Sequence, residues 1–550
     1  MIWILSLITV FKVIASDSSM NFSVRESYNI LSANNGHVHA TTHIANIIRN
    51  GISGFNQAEI EDLKKFGIST ENGKAISITP QNLDQTFESE HFRFYYTNEG
   101  NDAISDIDYI LQMADIFENV YKFYIDTLGF SPPAQDPASN DNLYEIFIEN
   151  LPSFFFGITY TKNTALEAPA CASFIKMRNN YLGSQFNEHT EVENIQVTAV
   201  HEFFHAIQFS YNCYERFWFM EATAVWSEDE LYNSVNDHYR YIAPWFSNTN
   251  KSINDESSHM YGSFIFFQYI DEHLGGPSTI KLCWEKSSGN ASPFQDISIK
   301  SIDEALKDLG SSFDDAYLKM RIANKIMNPN AGMYSYEEAD GYISAGGIHP
   351  EIDIYYEKGI FQDEANFYLD LFETNYYKIH TSDPVEAEII PFGEHLSMNS
   401  IVKFQGQNQW SVKSGKKINI DTEMNIEWIS LLVSAIGSEQ NNWDYTIEFR
   451  DGFSEDFSIS LPYPNPSFGK PVSLSIEAIK GQHIVTNVYS ILGHKVWSSS
   501  KTYMDSEINR LFWNGINKKG RKVSSGVYFI EISGEKKTFK NKIVYLKEEP

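Results

Sequence analysis

Residues 197–211 read VTAVHEFFHAIQFSY, and residues 217–228 read FWFMEATAVWSE. In the first stretch His201 and His205 stand four apart, so on an α-helix they share one face and can present two imidazole nitrogens to one metal ion. Glu202 follows His201 directly, where it can reach a water on that metal as a general base. Val197, Val200, Phe204 and Ile207 give the pair apolar surroundings, and Thr190 with Glu193 marks the helix start as a capping box. In the second stretch Glu221 lies among Trp218, Phe219, Met220 and Ala222. A carboxylate so placed is costly unless it is paired or metal-bound. Drawn from a second helix, it completes a two-histidine, one-glutamate set with one position left for water. The competing reading of Glu221, an acid favoured by a helix N-terminal dipole, does not call for such apolar flanks.

Outward from these helices the chain divides. A strand is expected at His91–Tyr96, a long helix from Ala103 to Leu128, and strands at Tyr144–Ile148 and Ala172–Lys176. The last of these is the expected partner for an extended substrate backbone. A helix from about Tyr261 stops at Gly275-Gly276-Pro277, and helical patterns continue from Ile302 to about Ile326. Residues 16–88, with a short helical piece from Ala58 to Phe66, read as a pro-segment or N-terminal extension. Between 350 and 455 short alternating runs suggest a β-sandwich, and from Leu461 a further set of strands begins.

The net charge of −30 and pI of about 4.9 oppose binding to nucleic acid or to anionic membrane surfaces. The charge is uneven. Residues 461–550 hold 14 Lys and Arg against 7 Asp and Glu, a net of +7, so the rest of the chain carries −37. This change of sign argues for a separate C-terminal module. The apolar start, Ile2 to Val10 followed by Val13-Ile14-Ala15, reads as a signal peptide over residues 1–15. Beyond it no apolar run is long enough to span a membrane. Cys171, Cys213 and Cys283 allow one disulfide without saying which. Asp-rich loops leave room for structural calcium.

HEFFH together with WFMEATAVW resembles the gluzincin metallopeptidases. The resemblance implies an α+β zincin-like domain over residues 89–335, with His201, His205 and Glu221 as zinc ligands and Glu202 as catalytic base. One subgroup of that family has an Asp four residues after the ligand Glu, and here that position is Val225. Glu228, two turns beyond Glu221, is the candidate to orient a ligand histidine, with Asp229 as runner-up. The aminopeptidase subgroup's Gly-Ala-Met-Glu-Asn motif is absent, which favours internal cleavage. A second donor to the oxyanion is expected from Tyr261 or His259, with Tyr261 preferred.

Residues 461–550 carry Pro464-Asn465-Pro466, Leu492-Gly493-His494-Lys495-Val496, Trp513-Asn514-Gly515 and Ser525-Gly526-Val527-Tyr528-Phe529. These resemble the C-terminal sorting domain of type IX (Por) secretion substrates. That resemblance implies an immunoglobulin-like β-sandwich over 458–550, recognition by the type IX machinery, and a secreted or cell-surface protein. The function expected is a secreted zinc endopeptidase acting on protein or peptide substrates. Two other readings stay open: an adhesin or binding protein with a non-catalytic metal site, and a zinc hydrolase of a non-peptide carbonyl compound.

Overall fold

The computed structural model describes residues 24–33, 40–152, 154–163, 168–291, 295–359, 362–391, 395–406, 408–422, 425–437, 442–453, 457–478, 481–504, 507–535 and 537–547. The signal peptide expected over 1–15 and the first residues of the N-terminal extension, 16–23, lie outside them.

The chain is multidomain, with an α/β N-terminal region and a β-rich C-terminal part of several sheets. The extension forms helices α1 (Val24–Ser32), α2 (Ala40–Asn50) and α3 (Gln57–Leu63), then strands β1 (Ile68–Glu71) and β2 (Lys74–Ser77). Asn56 caps α3 with a reciprocal bond to Glu59, and the helical piece expected up to Phe66 ends instead in a 3₁₀ turn over Lys64–Phe66. Gly67, at φ +68°, closes that turn.

Next come β3 (Gln85–Glu88), β4 (Phe92–Tyr96), α4 (Ile107–Tyr121), β5 (Tyr144–Glu149), β6 (Gly157–Thr161) and β7 (Ser173–Arg178). The strands form one sheet in the order β3-β4-β5-β7-β6. The pairs β4/β5 and β5/β7 are parallel, and β6 runs antiparallel on the edge. The strand expected to receive substrate, β7, is therefore internal, and β6 offers the free edge. All six residues of β7 are buried because both faces are covered. Ile175 and Met177 enter the core under the helices, and Phe174 enters a smaller core shared with the N-terminal extension.

Helices α5 (Glu191–Asn212) and α6 (Phe217–Tyr232) lie in the main core. The expected capping box of Thr190 and Glu193 opens α5. Residues Phe217 to Asp229 of α6 are all buried, as an apolar helix must be when it has no solvent face. Then follow α7 (Ile242–Ser247), α8 (His259–Gly262), α9 (Phe264–His273) and four further helices between Pro277 and Ser344. The single helix expected from Tyr261 is thus two, α8 and α9. Cys171 and Cys213 are disulfide-bonded, and Cys283 is buried and free.

Over 352–451 a five-stranded and a four-stranded sheet share one apolar core, to which Tyr377 and Val433 contribute from one sheet and Ile447 and Phe449 from the other. Residues Ile429–Ala435 are buried on both faces, because the outer face packs on the helical region through Phe372, Tyr376 and Leu432. Residues 457–546 form a three-stranded and a five-stranded sheet around a separate core. The strand Glu507–Trp513 there was not expected. Among the described residues no helix is long and apolar enough to cross a membrane.

Candidate metal centre

On α5 the two imidazoles turn the same way, with Nε2 of His201 and Nε2 of His205 3.1 Å apart. Glu221 of α6 brings Oε2 to 3.3 Å from His201 Nε2 and 3.7 Å from His205 Nε2. Ligand atoms about 2.0–2.2 Å from one tetrahedral zinc ion would lie about 3.3–3.6 Å from each other, so these separations fit a common ion. Both Glu221 oxygens are buried and make no hydrogen bond. A fully buried carboxylate left this way needs a cation beside it.

The charges around the site say the same. Burial alone would lower His201, yet Glu221 and Glu228 push it up to about 10. Burial would raise Glu221, yet His205 and His201 hold it well below the usual carboxylate range. The cluster is built around positive charge, which a divalent cation can supply in place of protons.

The outer nitrogens are also engaged. His201 Nδ1–H donates to Glu228 Oε1 at 2.7 Å, since a carboxylate can only accept. His205 Nδ1–H donates to Gln208 Oε1 at 2.7 Å, and Gln208 Nε2 donates to Met220 O at 2.9 Å and lies 3.1 Å from Thr223 Oγ1. Both ε nitrogens thereby keep their lone pairs for a metal. Glu228 is itself raised to about 6, chiefly by burial. The Tyr124 hydroxyl lies 2.9 Å from Val200 O and 2.7 Å from Ser227 Oγ, which fixes α5 against α6.

Glu202 faces β6. Its Oε2 accepts from Thr159 Oγ1 at 2.7 Å and from Thr41 Oγ1 at 2.8 Å. A Cβ on Gly157 would sit 2.9 Å from Glu202 Cγ and 2.6 Å from Thr198 Cγ2, so only glycine lets α5 approach the strand this closely. His43 of α2 is buried nearby; burial lowers it to about 4 against the pull of Glu221.

The structure therefore brings together His201, His205, Glu221 and Glu228, while the Glu202 carboxylate, one residue on from His201, is held by Thr159 and Thr41. Asp229 lies elsewhere, 3.8 Å from His238 Nδ1, with Glu338 3.2 Å from the other nitrogen of that ring. Tyr261 is buried on α8 with its ring stacked on Tyr241 at 5.2 Å. Burial pushes the Tyr241 hydroxyl well up; Arg240 opposes this, and the charges of Glu228, Asp237 and Glu221 add to it. His259 stacks on Trp245 at 4.5 Å, within a group that includes Arg321. Thr41, His43, Thr159, Gln208 and Tyr241 were not singled out in the sequence. Gln208 had a signal, three residues beyond His205 on one helix face. In the loop Ser131–Asn142, Asp136 pairs with Lys162 and Asp141 with Arg93.

Residues 81–316 match a family of unknown function, DUF6055. Residues 462–546 match the secretion system C-terminal sorting domain. The chain thus carries a type IX sorting domain, is recognised by that machinery, and is secreted or held at the cell surface. No curated protein matches the chain. Among solved structures it is similar to dimeric latent PorU from Porphyromonas gingivalis, at 14% identity and a TM-score of 0.18 over 29% of this chain and 17% of that one. It is also similar to PorZ, a surface component of the type IX secretion system of the same organism, at 13% identity and a TM-score of 0.13 over 26% and 22%. An FMN-binding β-glucuronidase from Faecalibacterium prausnitzii matches at 7% identity and a TM-score of 0.15 over 31% and 32%. The chain spans about a third or less of the length of each of these three.

Proposed function

We propose that this protein is a secreted zinc-dependent endopeptidase with a zincin-like catalytic domain. The observation that carries the reading is Glu221: a fully buried carboxylate without a hydrogen bond, facing two histidine ε nitrogens whose outer nitrogens are already bonded. His201 Nε2, His205 Nε2 and Glu221 would hold the metal. When bound, zinc lowers the pKa of water toward about 7 and polarises a carbonyl.

The remaining work falls to the chain's own groups. Glu202 takes a proton from the attacking water and returns it to the amine nitrogen as the C–N bond breaks. Thr159 fixes the Glu202 carboxylate through its hydroxyl. Glu228 and Gln208 hold the imidazoles in the tautomer that leaves Nε2 free. The edge of β6 suits an extended peptide, because the Thr159 N–H points away from β7. A metal kept for stability alone has no use for a carboxylate base beside its ligands, and structural sites usually have four protein ligands.

The test is casein digestion by the purified chain, intact and after limited proteolysis, with and without chelator. Bound zinc is measured in parallel. Wild type is expected to carry one zinc and to digest casein in a chelator-sensitive way. Glu202→Gln is expected to keep the zinc and lose about 10²–10⁴-fold in rate. Zinc-loaded, folded protein that leaves casein intact under both conditions would remove the peptidase reading.

A further inference from the structure

We propose that the N-terminal extension, through its described residues 24–33 and 40–80, is a removable blocking segment docked over the metal centre, with Thr41 as its contact to the catalytic base. This rests on the reading of Glu202 as a base beside a metal site.

One hydroxyl makes both key contacts. Thr41 Oγ1 accepts the Thr159 N–H at 2.8 Å and donates to Glu202 Oε2 at 2.8 Å. The first partner is the outward N–H of an edge strand, which an extended peptide would engage. The second is the oxygen that would take a proton from water. Thr41 therefore occupies the place of a substrate carbonyl and of a reacting water together. At the other end of α2, Arg49 donates to the carbonyls of Cys213 and Tyr214, and its guanidinium lies 5.3 Å from the Phe217 ring. The segment thus clamps the turn that joins the two ligand helices.

Packing completes the seal. Ile44 and Ile47 of α2 join Phe147, Ile158, Tyr160 and Phe174 on the outer face of the sheet, and Ala45 enters the main core. His205 and Glu221 are 0% exposed, His201 1% and Glu202 2%. No peptide reaches a site closed to this degree. The segment is joined to the rest through residues 78–84, which form neither helix nor strand and expose Gln81, Asn82 and Asp84. The DUF6055 match starts within that linker. Hydrolysis of one linker peptide bond by an external protease, with one water added across it, leaves the segment held by non-covalent contacts alone.

The experiment replaces Gln81–Asp84 of the full chain with the recognition sequence of a site-specific protease. After cutting, the fragment N-terminal to the cut should separate on gel filtration. Amide hydrogen exchange in 157–161 should then rise about tenfold or more while the other strands and helices of 85–344 stay protected. Transfer of zinc to a chelator should accelerate likewise. In the uncut chain, Thr41→Val should speed exchange in 157–161 by about 5- to 150-fold, the effect of losing two buried hydrogen bonds. A fragment that stays bound with unchanged exchange overturns the proposal. So does loss of folded structure in 85–344 on cutting, and so does casein digestion by the uncut chain at the rate of the cut one. Release with faster exchange but no zinc or no digestion supports the docking and removes the peptidase reading instead.

Discussion

The region around the candidate metal centre and the C-terminal sorting domain are built on opposite plans. The first buries Glu202, Glu221, Glu228, His238, Glu256 and Arg321 in its helices and the loops between them. The second buries, among its described residues, only Ser467, Thr486 and Asn487 as polar side chains, and no charged one. Charges inside a fold cost stability unless each is matched. A domain that must survive export and be recognised from outside keeps its charges on the surface, whereas a domain that does chemistry accepts the cost where the chemistry is. The contrast separates a core that holds buried charges from one that holds none among its described residues.

The contrast is open to direct attack. Glu221→Ala should have the largest effect, abolishing stoichiometric zinc, with affinity down by more than about 100-fold in equilibrium dialysis. Retained zinc would make the first region as purely structural as the second. Glu228→Gln should weaken zinc by about 10–100-fold through loss of the His201 contact, read by the same measurement. Cys171→Ser should cost about 2–4 kcal/mol, because it opens a cross-link between residues 42 apart, and should lower the melting of the α/β region while leaving that of the sorting domain in place.

Acid should discriminate more finely. His349 is buried, lies 3.6 Å from the Tyr376 ring, and is lowered by burial to about 3 from 6.5. It is neutral in the fold and takes up a proton when unfolded, so its contribution to stability falls as pH drops from 6.5 toward 3. The stability of His349→Phe relative to wild type should therefore rise over that window, as read by urea midpoints. A constant difference would show that this histidine is not held neutral. The smallest effect is expected in the sorting domain, where Leu492 is 79% exposed at a turn. Leu492→Ser should change stability by less than about 0.5 kcal/mol in the same measurement.

Legibility in the sequence followed the range of each contact. The His201–His205 pair is local to one helix turn, and Glu221 betrays itself by a charge among Trp, Phe and Met. Glu228 lies on the same helix as Glu221 and needed only the helical period. Thr41 could not be read this way, because its partners Glu202 and Thr159 are 161 and 118 residues distant. Nothing in the polar run Thr41-Thr42-His43 points to a site. The edge strand was misassigned for a related reason. Ser173–Arg178 has the stronger strand pattern because it is buried on both faces, and the weaker Gly157–Thr161 is the one left open on the edge. The sorting domain was legible because its short strands are separated by local glycine turns, such as the one at Gly515 with φ +67°.

The Cys171–Cys213 bridge also sets a timetable. Cys213 ends α5 and lies next to the turn into α6, so the bond ties down the corner between these two helices. The reducing interior of a cell keeps such thiols apart. That corner is therefore locked only once the polypeptide has left the cytoplasm, and the journey itself is a step in the assembly of the candidate site.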